Sequence, residues 1–266
     1  MHNDQAQGLR NLFVRSAIPA CSIGGAGVES AVLAIAEAFA ADGQHVLLLD
    51  RSRGGIAACA GKRARHELWH VLEGDVAIDD VMIPIRDNLT LLPAARGLDL
   101  CAAGRRDWRD VVSVAIGAHN ARFDLWLVHG LPPSGEGCGA PLFTVTPTRS
   151  SVTHAYAQIK ALATAQGRRN FGVIVAGVRS DAEAAALFEG LAATARRFLG
   201  VELDYCGALP MDALGMVVSV PTTGSATNSA RGFAGGFVAG SAIAGVRHRI
   251  TASFTTSSQH ASDIAA

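Results

Sequence analysis

The sequence predicts an α/β domain with a doubly wound, mainly parallel sheet carrying helices on both faces. Three observations lead there. Short apolar runs such as VLLL at 46–49 and LWLV at 125–128 show no polar alternation, as expected of strands covered on both sides. Between them lie longer segments of helical period, and strands alternating with helices of this length build parallel sheets. The first such unit carries a glycine turn, Gly24-Gly25-Ala26-Gly27, between an apolar strand ending Cys21-Ser22-Ile23 and a helix with Val32, Leu33, Ile35, Ala36 and Phe39 on one face.

Residues 4–14 are expected to form a short helix capped by Asp4, with Ala6, Leu9, Leu12 and Phe13 along one stripe. A helix this short is marginal in water, so it docks on its own domain or on a partner. Gly43 closes the helix after the glycine turn, and a second strand over 46–49 ends on Asp50. Arg51-Ser52-Arg53-Gly54-Gly55 is then a polar loop at the carboxyl end of a strand, where open α/β sheets place ligands. A helix over 65–74, a strand over 88–93, a helix over 106–118 and a central strand over 123–129 follow, and 132–137 is a loop. Next come a strand over 141–146, a helix over 151–166 with Val152, Tyr156, Ile159 and Leu162 on one face, and a strand over 171–175. The following helix opens on a capping-box spacing, Ser180 to Glu183, and closes with Arg196-Arg197 before Gly200. The last strand spans 203–209. From about Pro221 glycine, alanine, serine and threonine dominate, and little remains to bury. The expected organisation is an N-terminal helix at 1–15, one domain at 16–220 and a flexible tail at 221–266.

Composition narrows the function classes. Twenty-three basic residues balance 23 acidic ones, and no block of like charge stands out. An extended nucleic-acid footprint is therefore not expected, and Arg105-Arg106-Asp107-Trp108-Arg109 and Arg168-Arg169 read as solvated helix ends. Membrane contact is at most peripheral, at 233–246 between Arg231, Arg247 and Arg249. Five widely spaced cysteines, at 21, 59, 101, 138 and 206, lack a C-x-x-C pair and read as reduced, buried thiols. The opening MHNDQAQGLR has no apolar secretion core, and no apolar run reaches the ~18 residues of a spanning helix, so a cytoplasmic location is expected.

The glycine turn at the mouth of a helix offers backbone N–H groups and a positive helix end to a phosphate. Gly24, Gly25, Gly27, Ser30 and Asp50 are accordingly the candidate cofactor-binding positions. No lysine or arginine lies between Arg15 and Arg51, however. The run from Gly25 to Ser30 also nearly matches G-x-G-x-x-G/A, and Asp50 stands 25 residues after Gly25, so a dinucleotide-binding enzyme is an alternative that needs no lysine. His129, His154 and Cys138 have no metal-site spacing and read as structural. Trp69, Trp126 and Tyr156 read as core or core-edge aromatics, Cys59 and Cys101 as inert, and Asp124 and Glu136 lack a nameable partner.

The segments DQAQGLRNLF, GGAGVES, LLLDRSRGG, HELWHVLEGDVAIDDVMI, NLTLLPA, FDLWLVHG, TPTRSSVTHAYAQIKAL, VIVAGVRSDAEA and RRFLGVELDYCGALPMD, in order over residues 4–214, resemble the MinD/ParA-like P-loop ATPases. Within them the chain is most similar to the flagellar number regulator FlhG (FleN) subfamily. The resemblance implies a cytoplasmic protein that binds ATP, dimerises around it and limits flagellum number. It implies a partner GTPase, FlhF, engaged by the opening helix through Asp4, Gln5, Ala6, Leu9 and Arg10, and contacts with flagellar basal-body and regulatory proteins.

At the nucleotide site the family pattern KGGxGK[ST] places its two lysines on Ile23 and Val28 and its magnesium-binding hydroxyl on Glu29, with Ser30 one position later. Asp50 is kept in the following acidic loop, but the water-orienting acid falls on Ser52. The second strand acid falls on His129 and the base-contacting asparagine on Ala176. These replacements imply a non-catalytic or weakly nucleotide-binding regulator with no catalytic or metal-binding residues. ATP and Mg²⁺ are expected only if the site still functions.

Overall fold

The computed structural model describes residues 18–104, 106–130, 141–211 and 214. The helix expected over 4–14, with Asp4, Gln5, Ala6, Leu9 and Arg10, lies outside the described residues, as do Glu136, Cys138 and the segment 221–266. Eight strands form one sheet: β1 Ala20–Gly24, β2 Val46–Asp50, β3 Ile83–Arg86, β4 Leu89–Pro93, β5 Leu125–His129, β6 Leu142–Val145, β7 Asn170–Val178 and β8 Glu202–Pro210. Their order is β3-β4-β2-β5-β1-β6-β7-β8. All pairings are parallel except β3–β4. The helices are α1 Glu29–Ala41, α2 Gly55–Cys59, α3 Leu68–Glu73, α4 Ala95–Ala103, α5 Trp108–Ile116, α6 Arg149–Gln166 and α7 Asp181–Leu199.

Period-two alternation within buried strands separates the two faces. Val46 and Leu48 of β2 pack with Val32, Ile35, Ala36 and Phe39 of α1 on one face. Leu47 and Leu49 pack on the other with Leu68, Leu98, Trp108 and Val112 from α3, α4 and α5. Further along that second face, Phe143, Val145, Phe171 and Val173 meet Ile159 of α6 and Leu191 of α7. Every residue of β2 and β5 is buried, which is why those runs carry no polar alternation.

Local signals end the helices where expected. Ser180 Oγ accepts from the Glu183 N–H at 3.2 Å, and Glu183 Oε2 accepts from the Arg179 N–H at 2.9 Å, so one open donor of α7's first turn and the N–H just before the cap are satisfied.

Three elements depart from expectation. The loop after Asp50 contains the short α2, the segment after Pro93 turns directly into α4, and β3 is an antiparallel edge strand. Three side chains are also corrected. Asp124 has a partner: its Oδ2 accepts from the His45 N–H at 2.9 Å and lies 3.2 Å from His45 Nδ1. Cys59 is exposed, unlike Cys21, Cys101 and Cys206. Arg109 is no solvated helix end, because it is buried and its Nη2 donates to the Ile18 carbonyl at 2.7 Å.

Candidate functional site

The glycine turn leaves β1 at the point where the chain's connections change direction. From β1 the path runs to β2 on one side, and from β5 it returns past β1 to β6 on the other. Open α/β sheets place their ligands at the carboxyl ends of strands at such a switch.

Packing explains the glycines. A Cβ on Gly24 would lie 2.7 Å from the Phe143 ring, and one on Gly25, whose φ is +141°, would lie 2.6 Å from the Thr144 carbonyl oxygen. Gly27 is also left-handed, at φ +65°, with open space around it. Val28 follows, 1% exposed and part of the core under α1. No side chain caps α1, and its first turn carries Glu29. Ser30 is half-buried beside it. The turn thus presents backbone and a helix end, with an acid and an aliphatic group beside them.

Asp50 closes β2 and is buried. Its Oδ1 accepts from the Ser52 N–H at 2.6 Å and stands 3.6 Å from His129 Nδ1, at ion-pair rather than hydrogen-bond range. Strand register makes this pairing: β2 and β5 are neighbours with Leu49 level with Val128, so the next residues emerge side by side. Burial pushes the Asp50 carboxyl up, but His129 and Ser52 more than offset it and hold it below its ordinary 3.8. Asp50 Oδ2 and His129 Nδ1 have no hydrogen-bond partner among the described residues.

The neighbouring side chains hold the loop after β2 in place. Ser52 Oγ accepts from the Ile56 N–H at 3.0 Å and so caps α2. Arg51 donates to the Gly130 carbonyl at 2.5 Å and to Asp99 Oδ1 at 2.5 Å, which ties this loop to the residue after β5 and to the middle of α4. Glu29 runs against the same loop, since a Cβ on Gly55 would sit 3.1 Å from its Cγ. Burial first, then the charges of Glu29 and Asp50, push the exposed Cys59 thiol up.

The five candidate positions therefore separate into two groups. Gly24, Gly25, Gly27 and Ser30 form one turn, while Asp50 faces His129 one strand beyond β5. The Asp50–His129 pair escaped sequence reasoning because it depends on strand order. His154, exposed on α6, is not part of it. Among the described residues no group of three or more His, Cys, Asp or Glu side chains can hold a metal ion, and no helix is long and apolar enough to cross a membrane.

Comparison with known proteins supplies relatives for this geometry. The chain is 27% identical over 198 residues to the antiactivator FleN of Pseudomonas aeruginosa, covering 71% of each chain. In fold it is similar to the ATP complex of an McdA variant from Cyanothece, at 13% identity and a TM-score of 0.50, covering 74% of this chain and 84% of that one. A plasmid partition protein from Borrelia burgdorferi B31 bound to AMPPNP is similar at 16% identity and a TM-score of 0.50, covering 73% and 86%. No family model matches the chain.

Proposed function

We propose that this chain, a MinD/ParA-like protein of P-loop NTPase fold and a member of the FlhG/FleN family, regulates flagellum number and biosynthesis through protein–protein contact in the cytoplasm, without turning over ATP. The observation that carries the loss of turnover is Val28. It occupies the position of the family's phosphate-loop lysine, and its side chain is turned into the core at 1% exposure. A buried valine supplies no charge to the β- and γ-phosphates or to the transition state. Removing one such electrostatic contribution typically costs about 3 kcal/mol of transition-state stabilisation.

The residues around the turn do not fit a magnesium triphosphate. Glu29 puts a carboxylate at the α1 N-terminus, where it takes the place of an anion. A cation ligand at the end of β5 is replaced by His129, which stands against Asp50. Arg51, the first cation after the turn, is committed to Asp99 and Gly130.

The regulatory partner is an FlhF-like GTPase engaged by residues 4–10, with flagellar basal-body or regulatory proteins as further partners. Support comes from the family's opening segment, whose Asp4, Gln5, Ala6, Leu9 and Arg10 are all present. Copurification tests it directly: Leu9→Asp in the full chain abolishes capture of the GTPase and leaves the melting temperature unchanged. Capture that survives the substitution rejects this contact.

A second reading, in which ATP is still bound and drives a homodimer, is favoured by one feature. The turn keeps left-handed glycines at Gly25 and Gly27, and two neighbours of the same fold are known with ATP and AMPPNP. Calorimetry with Mg-ATP separates the readings. Our reading predicts no heat at micromolar ligand and no shift in mass, whereas micromolar affinity with dimerisation establishes the ATP-bound one. The dinucleotide alternative fares worse, because Asp50 is buried and already engaged by Ser52 and His129.

A further inference from the structure

Beyond the glycine turn, the described residues enclose a second opening at the same end of the sheet. It is a cavity of about 480 Å³ beyond the carboxyl ends of β2 and β4, a volume within the range of small-molecule sites. Arg53, Arg65 and Arg96 line it from three separate segments, with Asp50, Glu67 and Asp99. Formal charges balance on the wall, and each acid has one oxygen engaged by a neighbour. Asp50 faces Ser52 and His129, Asp99 is paired with Arg51, and Glu67 Oε2 accepts from the Arg96 N–H at 3.0 Å. Arg53 and Arg65 have no ion-pair partner among the described residues. Arg96 stacks over Trp69, 4.5 Å from the ring centroid, leaving its fork edge available.

The N-terminus of α4 reaches the cavity through Ala94 and Ala95, and its Arg96 N–H is taken by the Glu67 carboxylate. The arginine side chains are therefore the cationic groups of the wall. Arginines drawn from three separate segments suit a group with several acceptor oxygens, such as a phosphate, better than a carboxylate with two.

We propose that this cavity binds a small phosphorylated molecule of roughly mononucleotide size, at a site separate from the glycine turn. The proposal stands whether or not the turn binds ATP.

Calorimetry on the full chain tests it with AMP and ribose 5-phosphate as probes, and adenosine and succinate as controls. Both phosphorylated probes bind and neither control does. Arg65→Ala, and Arg53→Asn, which suits the left-handed backbone of Arg53 (φ +56°), each weaken binding about tenfold while the melting temperature holds. Ser30→Glu, which adds a carboxylate at the glycine turn, leaves affinity unchanged. Three outcomes overturn the proposal: no heat from either phosphorylated probe at millimolar concentration, equal affinity for succinate, or binding that Ser30→Glu abolishes and the arginine variants do not change.

Discussion

The turn after β1 and the cavity beyond β2 and β4 lie along the same end of one sheet and divide between them what a phosphate site needs. The turn carries left-handed glycines at Gly25 and Gly27, with Val28 and Glu29 at the positions where, in the proposed reading, the family's lysine and hydroxyl fall. The cavity lacks the glycine turn between strand and helix but has Arg53, Arg65 and Arg96. The difference shows that loop shape and loop charge answer to different constraints. Shape is held by the core beneath it: Phe143 and the Thr144 carbonyl exclude side chains at Gly24 and Gly25 whatever ligand is bound. Charge is held by nothing but its ligand, so it can be lost at one position and be present at another.

The sharpest way to break this comparison is to substitute the two left-handed glycines separately. Gly25→Ala drives a methyl group to within 2.6 Å of a backbone carbonyl at φ +141°. It is expected to cost about 3 kcal/mol, strain and displaced backbone together. Gly27→Ala meets open space and carries only the left-handed penalty, about 1 kcal/mol. Urea unfolding measures both. Equal costs mean that packing does not hold the turn, and the retained glycines then need a ligand to explain them.

Asp50 belongs to both regions, ending β2 beside the turn and lining the cavity. Its folded carboxyl sits below the ordinary value, so the stability it contributes is complete above about pH 4 and is lost as pH falls through the folded value. Asp50→Asn is expected to cost about 2 kcal/mol at pH 7, because the part-buried Ser52 N–H loses a charged acceptor and His129 loses the carboxylate 3.6 Å away. On acidification below pH 4 the gap between variant and parent narrows. A gap constant from pH 7 to pH 3 means that the carboxylate charge contributes nothing there.

These residues also show what was legible in the sequence. Strands β1, β2 and β4 to β8 announced themselves as apolar runs, and α6 and α7 by period and caps. β3 was hidden because IPIR holds a proline, which argues against a central strand; the structure places it at the edge, paired antiparallel with β4. α4 was hidden because Gly97 interrupts its pattern, and that glycine sits where Leu68 passes 3.0 Å from a would-be Cβ. The site was only half legible. A glycine turn is written in consecutive residues, whereas the pair of Asp50 and His129 needs β2 and β5 to be neighbours. The cavity likewise draws on residues 53, 65 and 96, and three isolated arginines carry no local signal.

The smallest expected effect reads both regions at once, through Cys59. This exposed thiol is pushed up by burial first, then by Glu29 from the turn and by Asp50 from the end of β2. Only the thiolate reacts with an alkylating agent, so its rate reports the local negative charge. In a chain carrying Cys138→Ala, Glu29→Gln removes one of the two acids and is expected to speed iodoacetamide alkylation of Cys59 about twofold at pH 8. Unfolding shifts by no more than about 0.5 kcal/mol, the contribution of a carboxylate at the α1 N-terminus. An unchanged rate means that Glu29 points away from the loop after β2. The α1 N-terminus then lacks the carboxylate that repels phosphate, and the proposed absence of turnover rests on Val28 and His129 alone.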